Sequence, residues 1–224
     1  MEVQRVEAVE RALSILEAFS NEKRTLTLTE ISVETGLYKS AVLRTAASLE
    51  RFGYLKRGAD LRYRLGPALW RLGALYRRTY DLGEAIRPAL RELVEVTGET
   101  ASFYVIDQDE RLCLYRENSR NPVRHHLEEG ARLTLRFGAA AHVLSAYGLN
   151  DPDARSRVAS GGFAVSEGER NPHVSAIAAP LFDAGGNFHG ALAVSGPKER
   201  FDEVQRASAL PVLIGIAAGL VDRL

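Results

Sequence analysis

"TLTEISVETGLYKSAVLRTAASLERFGYLKR", residues 27–57, reads as two short helices folded back on each other through Gly36. In the first, Thr29 is predicted as an N-cap or first-turn residue, and Leu28, Ile31 and Val33 as the buried side. Gly36 suits a left-handed C-terminal cap, which permits a sharp reversal. The second helix is predicted from about Lys39 to Phe52, with Val42, Ala46 and Leu49 inward at i, i+4 and i+7. That arrangement leaves Tyr38, Lys39, Ser40, Leu43 and Arg44 outward near the helix N-terminus. There the positive end of the helix dipole and unpaired backbone N–H groups favour phosphate.

The next stretch, "YLKRGADLRYRLG", is two strand-like runs about the turn Gly58-Ala59-Asp60, hence a small hairpin. Helix, tight turn, helix and hairpin in that order describe a winged helix-turn-helix. Lys39 and Ser40 are expected on backbone phosphates, Arg44 on a base edge or a phosphate, and Leu43 in apolar contact such as a thymine methyl. Arg62 and Arg64 on the hairpin are candidates for the DNA backbone or a minor groove. A helical hairpin with a merely solvated charged face would show the same spacing. The charge balance separates the two: residues 36–64 carry seven Lys/Arg against two acids, which favours DNA.

The wider composition is consistent with two domains that have different partners. The chain has 224 residues and no net charge. Residues 1–80 hold 14 Lys/Arg against 9 Asp/Glu, whereas residues 81–224 hold 15 against 20. Cys113 is the sole cysteine, which excludes an intrachain disulfide. The charged N-terminus lacks the apolar core of a signal peptide, and the apolar run Leu210–Val221 is short and interrupted by Pro211. A cytoplasmic protein without membrane attachment is the expectation.

Around the opening stretch, Val6, Val9, Leu13, Leu16 and Phe19 form an apolar stripe on a predicted first helix. A linker helix is predicted from Pro67 to Tyr80, with Leu69, Leu72, Leu75 and Tyr76 apolar and Arg71, Arg77 and Arg78 polar; Asp81-Leu82-Gly83 would end it. A helix over 84–97 closes at Gly98. "TASFYVID", "RLCLYREN", "GFAV", "VSAIAAPLFD" and "FHGALAVSG" are strand-like, with "AGGN" as a hairpin turn and "VRHHL" as a further short strand. "FGAAAHVLSAYG" reads as helix, and 203–223 as a helix kinked or restarted at Pro211. Helices at both ends of a mostly antiparallel sheet give an α+β second domain. The boundaries follow as 1–66 for the DNA-binding domain, 67–82 for the linker helix and 83–224 for the second domain.

No metal or cofactor site is expected. His125 and His126 are adjacent on a predicted strand and leave opposite faces, and His142, His173 and His189 stand without a paired ligand. Cys113 reads as a buried structural thiol, and Ser195 in "VSGP" lacks a hydrolase elbow. An enzyme or sensor on the second domain, or a protein-binding adaptor using the winged helix, remain the rival classes.

The chain as a whole resembles the IclR-type transcriptional regulators. The resemblance rests on "AVERALSILEAF" at 8–19, "LTLTEISVETGLYKSAVLRTAASLERFGYL" at 26–55, "RYRLGPALWRLG" at 62–73, "ETGETASFYVID", "GFAVSEGE" at 162–169 and "VSAIAAPLFDAGGNFHGALAVSGPKERF" at 174–201. It implies an N-terminal winged helix-turn-helix on double-stranded operator DNA and a C-terminal GAF-like domain that binds a small metabolite. It further implies a homodimer or a dimer of dimers. The effector residues it implies are the backbone amides of Ala139 and Ala140 for a carboxylate, with Ser166, Ala176, Ala193 and Ser195 on the wall. Tyr38 stands where the family has proline, and in "RFGAAAHV" His142 replaces the family lysine beside the pocket. Alanines at two wall positions predict a drier pocket suited to a hydrophobic or aromatic acid. Repression is the expected regulatory sign, with activation as the alternative.

Overall fold

Three helices and a hairpin close a small core at the N-terminal end. The computed structural model describes residues 6–79 and 82–224, and the chain divides into two compact units, Met1–Tyr80 and Asp81–Leu224. In the first unit α1 (Glu7–Glu17) buries Ile15, while Ala12 and Leu16 pack beside it. Val6, Val9 and Leu13 of the expected stripe are instead exposed.

α2 (Leu28–Thr35) is capped by Thr27, and Thr29 lies in its first turn, the second of the two placements expected for it. Thr27 Oγ1 accepts from the Glu30 amide at 3.2 Å and Glu30 Oε2 accepts from the Thr27 amide at 2.6 Å, a capping box. Val33 was expected inside but is 74 % exposed. It follows buried Ile31 by two residues, about 200° around the helix, which points it to the opposite face. Replacing Thr27 with alanine removes the hydroxyl that accepts from the Glu30 amide, while the residue-27 amide can still donate to Glu30, and is expected to lower stability by about 1 kcal/mol, read as a shift in the urea midpoint with an unchanged slope.

Gly36 adopts φ +68° and ends α2 as expected. α3 (Lys39–Arg51) buries Val42, Ala46 and Leu49, as its spacing predicts. β1 (Leu55–Arg57) and β2 (Tyr63–Leu65) pair antiparallel, and Leu26 bridges to Tyr63. Tyr63, Leu55 and Leu26 complete the core begun by Ile15, Ile31 and Val42. α4 (Pro67–Thr79) follows and is grouped with this unit. The side chains of Arg77 and Arg78, and the stop expected at Asp81, lie outside the described residues. Leu82 does not help to end a helix; it opens the next one.

In the second unit α5 (Leu82–Thr97) buries Ile86, Leu90 and Leu93. The sheet is antiparallel throughout, in the order β5-β4-β3-β8-β7-β6. Its strands are β3 (Thr100–Asp107), β4 (Glu110–Glu117), β5 (Arg132–Thr134), β6 (Ala164–Glu167), β7 (Val174–Phe182) and β8 (Phe188–Pro197). The expected strand at "VRHHL" is not formed; β5 lies further on, at 132–134. Alternation along β3 divides the core into two faces. Ala101 and Phe103 meet α5 and α8 (Glu203–Gly219), whereas Tyr104 and Ile106 meet α6 (Ala139–Gly148). α7 (Pro152–Ser156) continues from α6.

α8 runs through Pro211 as one helix, so it is not restarted there. Pro211 is exposed, so water can satisfy the carbonyl that it leaves unpaired four residues earlier. The span Glu203–Arg223 is apolar and long enough to cross a membrane by composition alone, yet Ala209, Leu213 and Ala217 pack onto the sheet. Glu99, only 3 % exposed, is held by the Arg200 guanidinium, which fixes the start of β3 to the segment after β8.

Candidate nucleic-acid interface and ligand pocket

Inward Val42, Ala46 and Leu49 leave the opposite side of α3 to solvent, and there the leading residues gather. Tyr38 (86 % exposed), Lys39, Ser40, Leu43 and Arg44 are all exposed, on one end of one helix. α3 has no side-chain cap and no acid in its first turn. α2 differs on both counts, since Thr27 and Glu30 close its N-terminus. The Lys39 and Ser40 amides head a helix with no intrahelical acceptor, so this end combines a partial positive charge, donor N–H groups and Lys39. The absence of a cap is legible in the sequence, because Tyr38 is a poor N-cap and no acid follows within a turn.

The hairpin arginines divide. Arg62 donates to Thr25 O at 3.1 Å and to Glu30 Oε2 at 2.9 Å, so it ties the wing to α2 instead of reaching outward. Its partner Glu30 is held below the usual carboxylate range by the Thr27 amide and hydroxyl and by Arg62 itself. Arg57 lies over the Tyr63 ring at 5.2 Å. Arg64 and Lys56 stay exposed and are the wing's outward cations. Leu61, at the tip, is exposed with φ +60°.

In the second unit, β3, β4, β6, β7 and β8 and the start of α6 surround a cavity of about 50 Å³. Ala139, Ala140, Ser166, Ala176, Ala193 and Ser195 all line it. His142 does not. It is buried behind the wall, with Nε2 2.9 Å from Glu169 Oε2. Two amides at the head of α6 are already used: Gly138 N–H donates to Glu169 Oε2 at 2.7 Å and Ala139 N–H to Ser166 Oγ at 2.9 Å. The Ala139 amide was expected to hold a carboxylate, but Ser166 takes it; Ala140, next in the first turn, has no intrahelical acceptor.

The wall is also more polar than its alanines suggest. Arg111 from β4, Arg170 and Asn171 from the loop after β6, and His125 from the loop after β4 all reach it. Arg170 Nη2 donates to His125 Nε2 at 2.7 Å, which leaves Nδ1 to donate to Ser195 Oγ at 3.2 Å. Burial, with Arg116, Arg170 and Arg111 nearby, pulls the His125 pKa down to about 3, so the ring is neutral. Cys113 lies under the floor as the buried thiol expected, its pKa pushed up to about 11 by burial. No cluster of metal-ligating side chains occurs among the described residues.

Comparison with known proteins bears on both units. Residues 8–59 match the IclR helix-turn-helix domain. Residues 74–155 and 153–220 match the bacterial transcriptional regulator IclR C-terminal domain. The chain is 29 % identical over 241 residues to the HTH-type transcriptional regulator BhcR of Paracoccus denitrificans (strain Pd 1222), covering 96 % of this chain and 86 % of the relative. It is 26 % identical over 226 residues to the regulator KdgR of Escherichia coli (strain K12), covering 88 % of this chain and 85 % of that one. A solved ICLR regulator from Silicibacter sp. TM1040 superposes with a TM-score of 0.81 at 27 % identity, over 96 % of this chain and 95 % of that one. An IclR homolog from Microbacterium hydrocarbonoxydans, solved with 4-hydroxybenzoate, shares the fold at a TM-score of 0.81 and 21 % identity, over 96 % and 98 % of the two chains. With both family domains matched in order along most of its length, the chain belongs to the IclR family of bacterial transcriptional regulators, which are not enzymes.

Proposed function

We propose that this regulator binds operator DNA through the leading end of α3, and that a small organic acid in the cavity of the second unit modulates the binding. The observation that carries the reading is the uncapped, acid-free N-terminus of α3 with Lys39, Ser40 and Arg44 all exposed beside it. Lys39, Ser40 and the first amides hold phosphates, Arg44 and Leu43 reach base edges, and Arg64 follows the backbone from the wing. The exposed apolar residues Val6, Val9 and Leu13 of the first unit are suited to a second copy, so the protein acts as a homodimer, or a dimer of dimers, on paired half-sites in the cytoplasm. It acts as a repressor that its effector releases. The co-crystallised 4-hydroxybenzoate of the Microbacterium relative supports a carboxylic acid as the effector class.

Linkage supplies the test. Duplexes selected from a random library are titrated with the protein, with and without a panel of small acids. An effector that lowers DNA affinity by some factor must bind the DNA-loaded protein more weakly by the same factor. An acid that binds the free and DNA-loaded protein equally well contradicts the reading.

A further inference from the structure

We infer that Arg111 is the anion anchor of the effector pocket and that it restricts the site to ligands carrying a carboxylate. The inference rests on the ligand-binding reading above and adds a specificity residue to it. Arg111 projects from β4, is only 5 % exposed and lines the cavity. Its Nε is buried without a hydrogen-bond partner, and among the described residues no carboxylate lies within ion-pair distance of its guanidinium. Buried arginines are usually paired, because an isolated buried charge is expensive. Here the guanidinium lies over the Tyr104 ring at 5.4 Å, and Glu169 attracts it from beyond ion-pair distance.

The surroundings add positive potential and leave one position for an anion. A Cβ at Gly138 would lie 3.3 Å from both Arg111 Nη1 and Nη2, which puts the guanidinium against the N-terminus of α6. The positive end of the helix dipole, the first-turn residue Ala140 and the guanidinium thus border the same cavity. Arg170 is a second cation on the wall. Glu169, the acid on the wall, is engaged by Gly138 N–H and His142. A carboxylate entering here accepts from Arg111 and Ala140, and its remaining polar atoms meet the His125–Ser195 pair.

The test uses the full-length protein in thermal melts with pyruvate and 4-hydroxybenzoate, against pyruvamide and 4-hydroxybenzamide as uncharged controls. At least one of the two acids is expected to raise the melting temperature of the parent by several degrees near saturation, and neither amide is expected to do so. Arg111→Met should weaken the acid response about 30-fold or more. Without ligand, this variant should melt at or above the parent temperature, because a buried charge with no direct ion-pair partner has been removed. Arg111→Lys keeps the charge but loses the fork, so it should fall between the two. If Arg111→Met keeps the parent's response, or melts lower without ligand, or if neither acid shifts the parent, the anchor is refuted. Salt-dependent DNA binding by the parent, measured on the same samples, separates that failure from failure of the regulator reading.

Discussion

Gly66→Ala is expected to destabilise the N-terminal unit by about 3 kcal/mol or more and to abolish DNA binding with it. A Cβ at this position would lie 2.1 Å from the Gly53 carbonyl oxygen and 2.9 Å from Tyr54 C. Those atoms are backbone and cannot rotate away. They are also fixed: Gly66 N–H donates to Tyr54 O at 2.7 Å and Ala68 N–H to Gly53 O at 3.0 Å, which joins the end of the wing to the end of α3. Opening the contact loosens β2, and Tyr63 on β2 is a fully buried member of the core that orients α3. At roughly 0.05–0.15 kcal/mol per residue, a unit of this size is stable by only about 4–12 kcal/mol, so the loss is a quarter or more of the total. Gly36→Ala is the control. Its Cβ would meet nothing within 4 Å, so only the strain of φ +68° remains, about 1–2 kcal/mol. Urea unfolding of the two variants should rank them in that order.

Arg44→Ala should weaken operator binding by about 1–3 kcal/mol and relax specificity at the base pair that it reads, with no loss of stability. Arg44 lies on the exposed side of α3, while its neighbour Val42 is fully buried, so the side chain supports no packing. Arg62→Ala should behave in the opposite way. Its guanidinium serves Thr25 and Glu30, so the loss falls on the seating of the wing and only indirectly on DNA. Competition with variant duplexes separates the two, since only Arg44→Ala should change the preferred sequence.

The parts of this architecture that local periodicity encodes were open to reading. Val42, Ala46 and Leu49 recur at one helical face, and the structure buries all three. The long apolar runs of β3, β4, β7 and β8 were equally plain as strands. Local rules failed where one residue had competing roles. Thr27 and Thr29 both precede an apolar run, and only Thr27 has glutamate three residues on. β5 has three residues, too few for a pattern, and forms because β4 offers it an edge. In the pocket, the resemblance located the alanines and serines but missed the cations. Arg111 sits in the alternating run "RLCLY" like any strand residue, and only folding brings it to Gly138, 27 positions later. Glu99 and Arg200, separated by 101 residues, were invisible for the same reason.

Salt dependence of DNA binding tests the central claim most directly. If the leading end of α3 seats on phosphates, the logarithm of the binding constant falls linearly with the logarithm of salt concentration, and Lys39→Ala reduces that slope by about 1 while weakening all sequences alike. A slope near zero for the parent, or a Lys39→Ala line that overlays it, would mean that this end of α3 does not meet the double helix.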